Sequence, residues 1–442
     1  AVLSLITACC MLSRRWYVNL VAFLACLSGE TFLAHLFFPG YMLCPAAASF
    51  IILFLSRIWD LSRTPAKGNG ADPIRLPVRS GIRESRLEFY YHYSNFLVYG
   101  GAGSGKTKSI GKWLLSEYMR LGFAGFIYDF KDTDYTRTAY NLIKRHRYPH
   151  KFYYVSFDRP ERSYRFNPLK VVRDRTELIQ LMEDVLLALL PKKEQQNEWV
   201  AGGLGILRGV AFRFWDEFPE HCTLPHILAF IMTASARQLS LFLQQNLVSE
   251  MLAGAYLKAE GSEKTQASYL STLCNNLATI SQNEEIAYVL SGDDFDFNLI
   301  DPEPPKLFAV SNNFSKNSVY APVISMLMTI SARQFSMQNR VPFVYFLDEM
   351  TTVNIKNFET LPSVLREYKA AFILLTQSGA KLENLYGKLD RSSVEANFGN
   401  MFLGRTKDVE ALKYYPLFFG KEEKERRSRS SGKSGASSSS SV

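Results

Sequence analysis

The sequence has few cysteines and histidines, and neither residue type forms a metal-binding pattern. The six cysteines include no C-x-x-C pair, and four of them lie in an apolar N-terminal region: Cys9, Cys10, Cys26 and Cys44. This usage does not fit a disulfide framework or a zinc site. The six histidines also lack ligand spacing. We therefore expect no structural metal.

The chain also lacks an unusual density of charge. Charged residues make up 21% of its 442 residues, and apolar residues make up 47%. This composition allows a large core, and the length leaves room for two or three domains. The formal net charge of +9 favours an anionic partner, either nucleic acid or a phospholipid surface.

One glycine-rich run fits the phosphate-loop pattern G-x-x-x-x-G-K-[ST] at every fixed position. It follows a strand-like stretch at residues 96–99 and precedes a helix-like segment at 108–121. This order points backbone N–H groups at a bound phosphate. Lys106 would reach the β- and γ-phosphates of ATP, and Thr107 would help to hold Mg²⁺. The predicted nucleotide-binding residues are Gly100, Gly101, Ala102, Gly103, Ser104, Gly105, Lys106, Thr107 and Lys108.

An apolar run at residues 343–347 ends in Asp348 and Glu349. Such a run favours a buried parallel strand, and ligands bind at the carboxyl ends of strands in doubly wound sheets. Asp348 can hold the hydration shell of Mg²⁺, and Glu349 can orient or deprotonate an attacking water. Together with the phosphate loop, this pair indicates an ATP hydrolase rather than a kinase.

Two apolar segments lie near the start of the chain, at residues 16–38 and 41–59, with a Pro-Gly turn signal between them. The first would span about 35 Å as a helix, against about 30 Å of bilayer hydrocarbon. Basic residues flank the pair on both sides, and the turn has none. The positive-inside rule then predicts a transmembrane helical hairpin with both ends in the cytoplasm. A buried pair of core helices is the alternative.

The remaining chain alternates strand-like and helix-like segments around a helical insertion, which predicts an α/β fold with a mainly parallel sheet. The final segment is basic and then rich in serine, so it cannot bury a core. The predicted divisions are a transmembrane region at 1–60, a linker at 61–80, a nucleotide-binding domain in two parts at 81–170 and 299–420, an inserted all-α domain at 171–298, and a disordered tail at 421–442.

The order of these motifs resembles the type IV secretion coupling proteins, the VirD4/TraG/TraD group. The shared features are the hairpin, the phosphate loop, a D-x-K strand end, F-N-P-L at 166–169, the helical insertion, the D-E strand end and T-Q-S at 376–378. Within this group the chain looks most similar to MobC-type proteins of Bacteroidetes mobile elements. That likeness rests on G-G-A-G-S-G-K, Y-D-F-K-D and the tail from K-E-E-K to serine.

The resemblance implies a RecA-like P-loop ATPase that forms a hexameric ring at the bacterial inner membrane. Such a ring receives a relaxase bound to single-stranded DNA and passes both to the secretion channel during conjugation. The implied partners are the relaxase, DNA, the channel proteins, further copies of the chain and membrane lipid.

Several residues take expected roles from this resemblance. Gln377 matches the glutamine that senses the γ-phosphate. Arg366 occupies the place of the arginine finger, which acts on the ATP of a neighbouring subunit; a solvated helix-end arginine is the alternative, and Arg405 is a weaker second candidate. Asp129 and Lys131 match a D-P-K motif in part, since Phe130 and Asp132 replace the usual proline and glycine.

The sequence is also compatible with other functions. A coupling ATPase that recruits only protein effectors would share the fold. A membrane scaffold that binds nucleotide without hydrolysis would need neither Glu349 nor Arg366. A DNA translocase of the FtsK/HerA type is a further alternative, although translocases of chromosome segregation usually carry a C-terminal DNA-reading module.

Overall fold

The computed structural model describes residues 72–80, 83–190, 194–301, 304–336, 341–416, 426–432 and 435–441. They belong to one compact unit, Asp72–Val442. The two membrane spans predicted at 16–38 and 41–59 lie outside the described residues. Among the helices that are described, none combines the length and the apolar character needed to cross a bilayer.

A seven-stranded sheet forms the centre of the fold, and each of its pairings is parallel. Its strands are β3 (Phe96–Tyr99), β4 (Ala124–Asp129), β5 (Lys151–Ser156), β6 (Lys306–Ser311), β7 (Phe343–Leu347), β8 (Ala370–Thr376) and β9 (Asn400–Leu403). Their order across the sheet is β5-β6-β4-β7-β8-β3-β9. The mainly parallel α/β sheet predicted from the sequence is thereby confirmed.

Helices cover both faces of this sheet, which explains why its strands are continuous apolar runs. Helices α1 (Lys112–Arg120) and α2 (Asp134–His146) pack on one face, where they bury Phe96 and Val98 of β3. Leu97 and Tyr99 point to the other face. A fully buried side chain of this size contributes about 1.5–3 kcal/mol, so two-sided burial fixes the strands firmly.

A helical region separates β5 from β6 in the chain. Its helices are α3 (Arg175–Ala188), α4 (Glu198–Glu217), α5 (Leu224–Thr233), α6 (Ala236–Gln244), α7 (Leu247–Leu252), α8 (Gly254–Lys258), α9 (Glu263–Ser281) and α10 (Glu284–Leu290). The chain has a break between α9, which ends at Ser281, and α10, which begins at Glu284. Asn283 causes it, because its side chain accepts a hydrogen bond of 2.8 Å from Ile286 N and caps a new helix.

The remaining helices connect β6, β7, β8 and β9, except the last of them, which follows β9. They are α11 (Asn317–Arg333), α12 (Leu361–Glu367), α13 (Gly379–Tyr386), α14 (Lys388–Ala396) and α15 (Val409–Tyr414). A single 3₁₀ turn, Met350–Thr352, follows the Asp-Glu pair at the end of β7.

The linker predicted over 61–80 was wrong in its second half. Strand β1 (Ile74–Ser80) pairs antiparallel with β2 (Arg83–Phe89) outside the central sheet. Ile74 and Leu76 are buried, and Arg75 N donates a hydrogen bond of 2.8 Å to Glu117 on α1. Pro77 made this strand difficult to predict from the sequence. Proline argues against a central strand, although an isolated hairpin tolerates it.

The tail differs from the predicted disorder as well. Strands β10 (Arg426–Gly432) and β11 (Gly435–Ser441) pair antiparallel with each other and join no other sheet. Their register places Gly432 opposite Gly435. Pairing of segments so close in the chain has a low loop-closure cost, which the serine-rich composition did not reveal.

Candidate nucleotide-binding site

The phosphate loop joins the carboxyl end of β3 to a π-helical turn, Lys106–Gly111, that continues into α1. Gly103 and Gly105 have φ angles of 71° and 86°, a left-handed conformation that favours glycine. Neighbouring strand ends anchor the loop: Gly100 N donates to Thr376 O at 3.2 Å, and Gly101 N donates to Arg405 O at 3.0 Å. The loop is therefore held at the ligand-binding edge of the sheet.

Lys106 lies beside Glu349 at this edge. Its Nζ is 3.5 Å from Glu349 Oε1 and donates to the carbonyl of Gly100. Both side chains are buried, with 7% and 3% exposure. Burial lowers the pKa of Lys106, and the Glu349 carboxylate opposes that change. The structure thus brings together two residues that lie far apart in the sequence.

Asp348 is fully buried, and neither of its carboxylate oxygens has a hydrogen-bond partner among the described residues. Burial raises its pKa to about 7, while the Lys131 ammonium lowers it in part. Its position is fixed, because Asp348 N donates to Tyr128 O at 3.0 Å. A buried carboxylate without a partner is costly unless a cation or donor reaches it.

Gln377 follows β8 and contacts Glu349 directly. Its Nε2 donates to Glu349 Oε1 at 3.3 Å, while its Oε1 accepts from Lys381 Nζ at 2.7 Å. The lysine fixes the amide orientation, because an ammonium group can only donate. Lys381 was not identified from the sequence. Its spacing of four residues from Gln377 is the signal that could have identified it, because residues four apart on a helix are neighbours.

The structure does not bring Arg366 or Lys108 into this cluster. Lys108 is exposed on the π-helical turn. Arg366 is exposed near the end of α12, four residues before β8 begins. Gly100 contacts the other end of β8, and the strand has seven residues, or about 23 Å at ~3.3 Å per residue. Arg366 therefore cannot reach the phosphate loop of its own chain.

Arg405, in contrast to Arg366, lies beside the phosphate loop of its own chain. Its backbone carbonyl accepts the hydrogen bond from Gly101 N. The loop after β9 is thus attached to its own phosphate loop. The Arg405 side chain is exposed, and its place as a weaker second candidate for the arginine finger stays a prediction.

Asp129 has a structural role at the start of α2. Its Oδ2 accepts hydrogen bonds from Thr136 N at 2.8 Å and Thr136 Oγ1 at 2.9 Å. Lys131 lies on the connecting loop, close enough to Asp348 to lower the pKa of that carboxyl. Asp132, where the motif usually has glycine, has a φ of 39°.

Tyr135 is a residue of this site that the sequence interpretation missed. Its side chain is fully buried on α2, and its Oη has no hydrogen-bond partner of normal geometry within the described structure. Burial raises the pKa of Tyr135; the Asp348 carboxylate raises it further, and Thr107 lowers it in part. No motif in the sequence marks this tyrosine, because α2 and the phosphate loop meet only in the folded protein.

Gly111 on the phosphate-loop helix leaves the space that Tyr135 occupies. A Cβ at Gly111 would overlap the Tyr135 hydroxyl and lie 3.0 Å from Leu375 Cδ2. We expect Gly111→Ala to destabilise the protein by about 1–3 kcal/mol, as overpacking of a core does, measured by urea unfolding. Tyr135→Phe should recover part of this loss, because it removes the overlapping oxygen.

Gly254→Ala is the matched control for this prediction, since nothing lies within 4 Å of a Cβ built there. It should be neutral, or stabilise its helix by up to about 1 kcal/mol. If Gly111→Ala is as stable as the wild type, the close packing of Tyr135 against the helix is wrong.

A protein-family model matches the part of the chain that contains these residues. The model of the type IV secretion-system coupling protein DNA-binding domain matches residues 87–442. The chain belongs to this family. The family predicted from the sequence motifs is thus confirmed, while the likeness to MobC-type members stays a prediction. No curated protein sequence matches the chain.

Solved structures of coupling proteins share the fold. The conjugative coupling protein TrwBdeltaN70 in complex with sulphate is 16% identical, with a TM-score of 0.60 over 87% of this chain and 84% of that one. TrwB in complex with ADP and Mg²⁺ is 17% identical, with a TM-score of 0.55 over 75% and 79% of the two chains. TrwB with the ATP analogue ADPNP is 16% identical, with a TM-score of 0.56 over 78% and 75%.

Proposed function

We propose that this coupling protein is a membrane-anchored hexameric ATPase that delivers a relaxase bound to single-stranded DNA to a type IV secretion channel. One observation carries the ATPase part. Buried polar atoms without partners gather at the phosphate-loop edge of the sheet: Ser104 Oγ, Tyr135 Oη, both carboxylate oxygens of Asp348, and Glu349 Oε2. Folded proteins satisfy about 90% or more of such atoms, so this concentration favours a polar ligand.

The phosphates of ATP suit this edge. The backbone N–H groups of the phosphate loop and the N-terminus of the following helix favour anions. Lys106 would neutralise the β- and γ-phosphates once they compete with Glu349 for its ammonium group. A bound nucleotide with Mg²⁺ occurs in the structurally similar TrwB.

Thr107 and Asp348 are the residues that would hold Mg²⁺. The donor set fits, because Mg²⁺ prefers oxygen ligands and keeps several waters, and both oxygens of Asp348 are buried without partners. When bound, Mg²⁺ supplies positive charge at the phosphoryl oxygens. That charge would favour the ionised carboxylate that burial otherwise disfavours.

Glu349 is the proposed catalytic base. Gln377 and Lys106 both approach its Oε1, which leaves Oε2 without a partner in the described structure. That oxygen can accept a proton from a water molecule that attacks the γ-phosphate. Gln377 lies at the end of the neighbouring strand, where a change in the phosphates would alter its contact with Glu349.

The transport part of the proposal rests on other observations. The family is defined by a DNA-binding domain, and the chain carries a net charge of +9. The apolar segments at 16–38 and 41–59 support membrane anchoring by their length. The distance between Arg366 and its own phosphate loop supports a ring, because the arginine could act only across a subunit interface.

The decisive experiment measures ATP hydrolysis by detergent-purified protein against increasing single-stranded DNA, with oligomer size recorded in parallel. We expect DNA to stimulate hydrolysis in rings and to bind with strong salt dependence, since phosphate contacts release counterions. A ring that hydrolyses ATP but ignores DNA would favour transport of protein effectors alone. A ring that binds nucleotide without turnover would favour a scaffold.

A further inference from the structure

The geometry points to Tyr135 as a positioning residue whose hydroxyl oxygen accepts a hydrogen bond from water in the hydration shell of Mg²⁺ held by Thr107 and Asp348. This inference rests on the proposed function, in which those two residues bind the magnesium of ATP. It adds a third side chain, from a different element, to the magnesium side of the site.

The Tyr135 hydroxyl is unpaired in the described structure. Tyr135 is fully buried, and no described residue provides a hydrogen bond of normal geometry for its Oη. An unpaired buried hydroxyl is expensive to keep, whereas phenylalanine would fill the same space without that cost. The hydroxyl is therefore explained better by a ligand than by packing.

The Tyr135 hydroxyl lies on the magnesium side of the site. Tyr135 Oη lies against Gly111, four residues after Thr107 on the same π-helical turn. The Tyr135 ring contacts Phe346, two residues before Asp348. Asp348 likewise has carboxylate oxygens that lack partners in the described part of the chain. Two unpartnered polar groups, both able to accept a hydrogen bond, thus adjoin the same small region. Water bound to a cation can bridge such groups, since its oxygen faces the cation while its two O–H groups donate to the carboxylate and to the hydroxyl oxygen.

The Tyr135 side chain is held in a fixed position. Its ring contacts Phe346 with a centroid distance of 4.6 Å, and Phe346 belongs to the strand that ends one residue before Asp348. The start of α2 is clamped by the hydrogen bonds from Thr136 to Asp129. Positioning groups work when their own orientation is fixed by packing and hydrogen bonds, and both conditions hold here.

The phosphate-loop helix leaves space for the Tyr135 hydroxyl. The phosphate-loop helix has no side chain at Gly111, where a Cβ would overlap the tyrosine hydroxyl. Glycine within a helix costs up to about 1 kcal/mol relative to alanine. The helix therefore accepts a less stable residue at the point where the hydroxyl approaches it.

The test compares binding of the fluorescent nucleotide mant-ADP to the full chain, in EDTA and during a titration with MgCl₂. For Tyr135→Phe we expect affinity in EDTA within about twofold of the wild type. The Mg²⁺ concentration for half-maximal enhancement should rise about tenfold, because loss of an outer-shell partner costs about 10–100-fold in metal affinity. Without nucleotide or Mg²⁺, the variant should melt about 2 °C higher, because the unpaired hydroxyl is gone.

Tyr154→Phe is the matched control. Tyr154 lies on edge strand β5, and its hydroxyl also lacks a partner among the described residues. This variant should keep the wild-type Mg²⁺ requirement. An unchanged Mg²⁺ requirement in Tyr135→Phe would overturn the inference, as would an equal loss of affinity with and without Mg²⁺. Wild-type protein that binds no mant-ADP would instead overturn the proposed function, and this inference with it.

Discussion

Replacing Glu349 with glutamine is expected to lower ATP turnover by about 10²–10⁴, the usual contribution of a general base, while nucleotide still binds. The substitution keeps the size of a side chain that is 3% exposed, and its amide oxygen can still accept from Gln377. It removes the carboxylate oxygen that has no partner in the described structure and therefore the proton acceptor. Steady-state hydrolysis and mant-ATP binding, measured on the same sample, separate the two effects.

Glu250→Gln is a suitable control, because Glu250 is an exposed glutamate on α7 in the helical region. It should hydrolyse ATP at the wild-type rate. If Glu349→Gln retains more than about a third of wild-type turnover, a base role worth 10²–10⁴ is wrong for this residue. Loss of mant-ATP binding in the same variant would instead show that Glu349 supports the fold of the loop.

The sequence was most informative where function depends on residues close together in the chain. The phosphate loop could be identified because its glycines, Lys106 and Thr107 are consecutive. The strand before Asp348 could be identified because burial on both faces demands an unbroken apolar run. That these two elements meet followed from a general property of parallel sheets, whose ligands bind at one edge.

Features set by tertiary contacts could not be predicted in this way. Tyr135 reaches the site because α2 packs against a glycine of another helix, and neither residue belongs to a motif. Strand β1 was not predicted from the sequence, because it contains Pro77 and proline is unfavourable in most strands. Arg405 was assigned by residue type alone, whereas its contact with the phosphate loop of its own chain depends on where β9 joins the sheet.

Arg366→Ala is expected to reduce ATP turnover by about 10³–10⁵, the range for loss of an arginine finger, without weakening nucleotide binding. Arg366 is exposed and about one strand length from its own phosphate loop. Any catalytic effect of its charge would therefore fall on a neighbouring subunit. Arg145→Ala, at an exposed arginine in the last turn of α2, is the control and should keep wild-type turnover.

Mixed rings test the action across the interface directly. We expect Lys106→Ala subunits to bind phosphate poorly while they retain Arg366, and we expect Arg366→Ala subunits to have the opposite defect. In random equal mixtures about a quarter of the interfaces would pair an intact phosphate loop with an intact arginine, since ring contacts are head to tail. Turnover should therefore rise far above that of either variant alone. If the mixture stays as inactive as its components although the rings assemble, Arg366 does not act in trans, and a solvated helix-end arginine becomes the better interpretation.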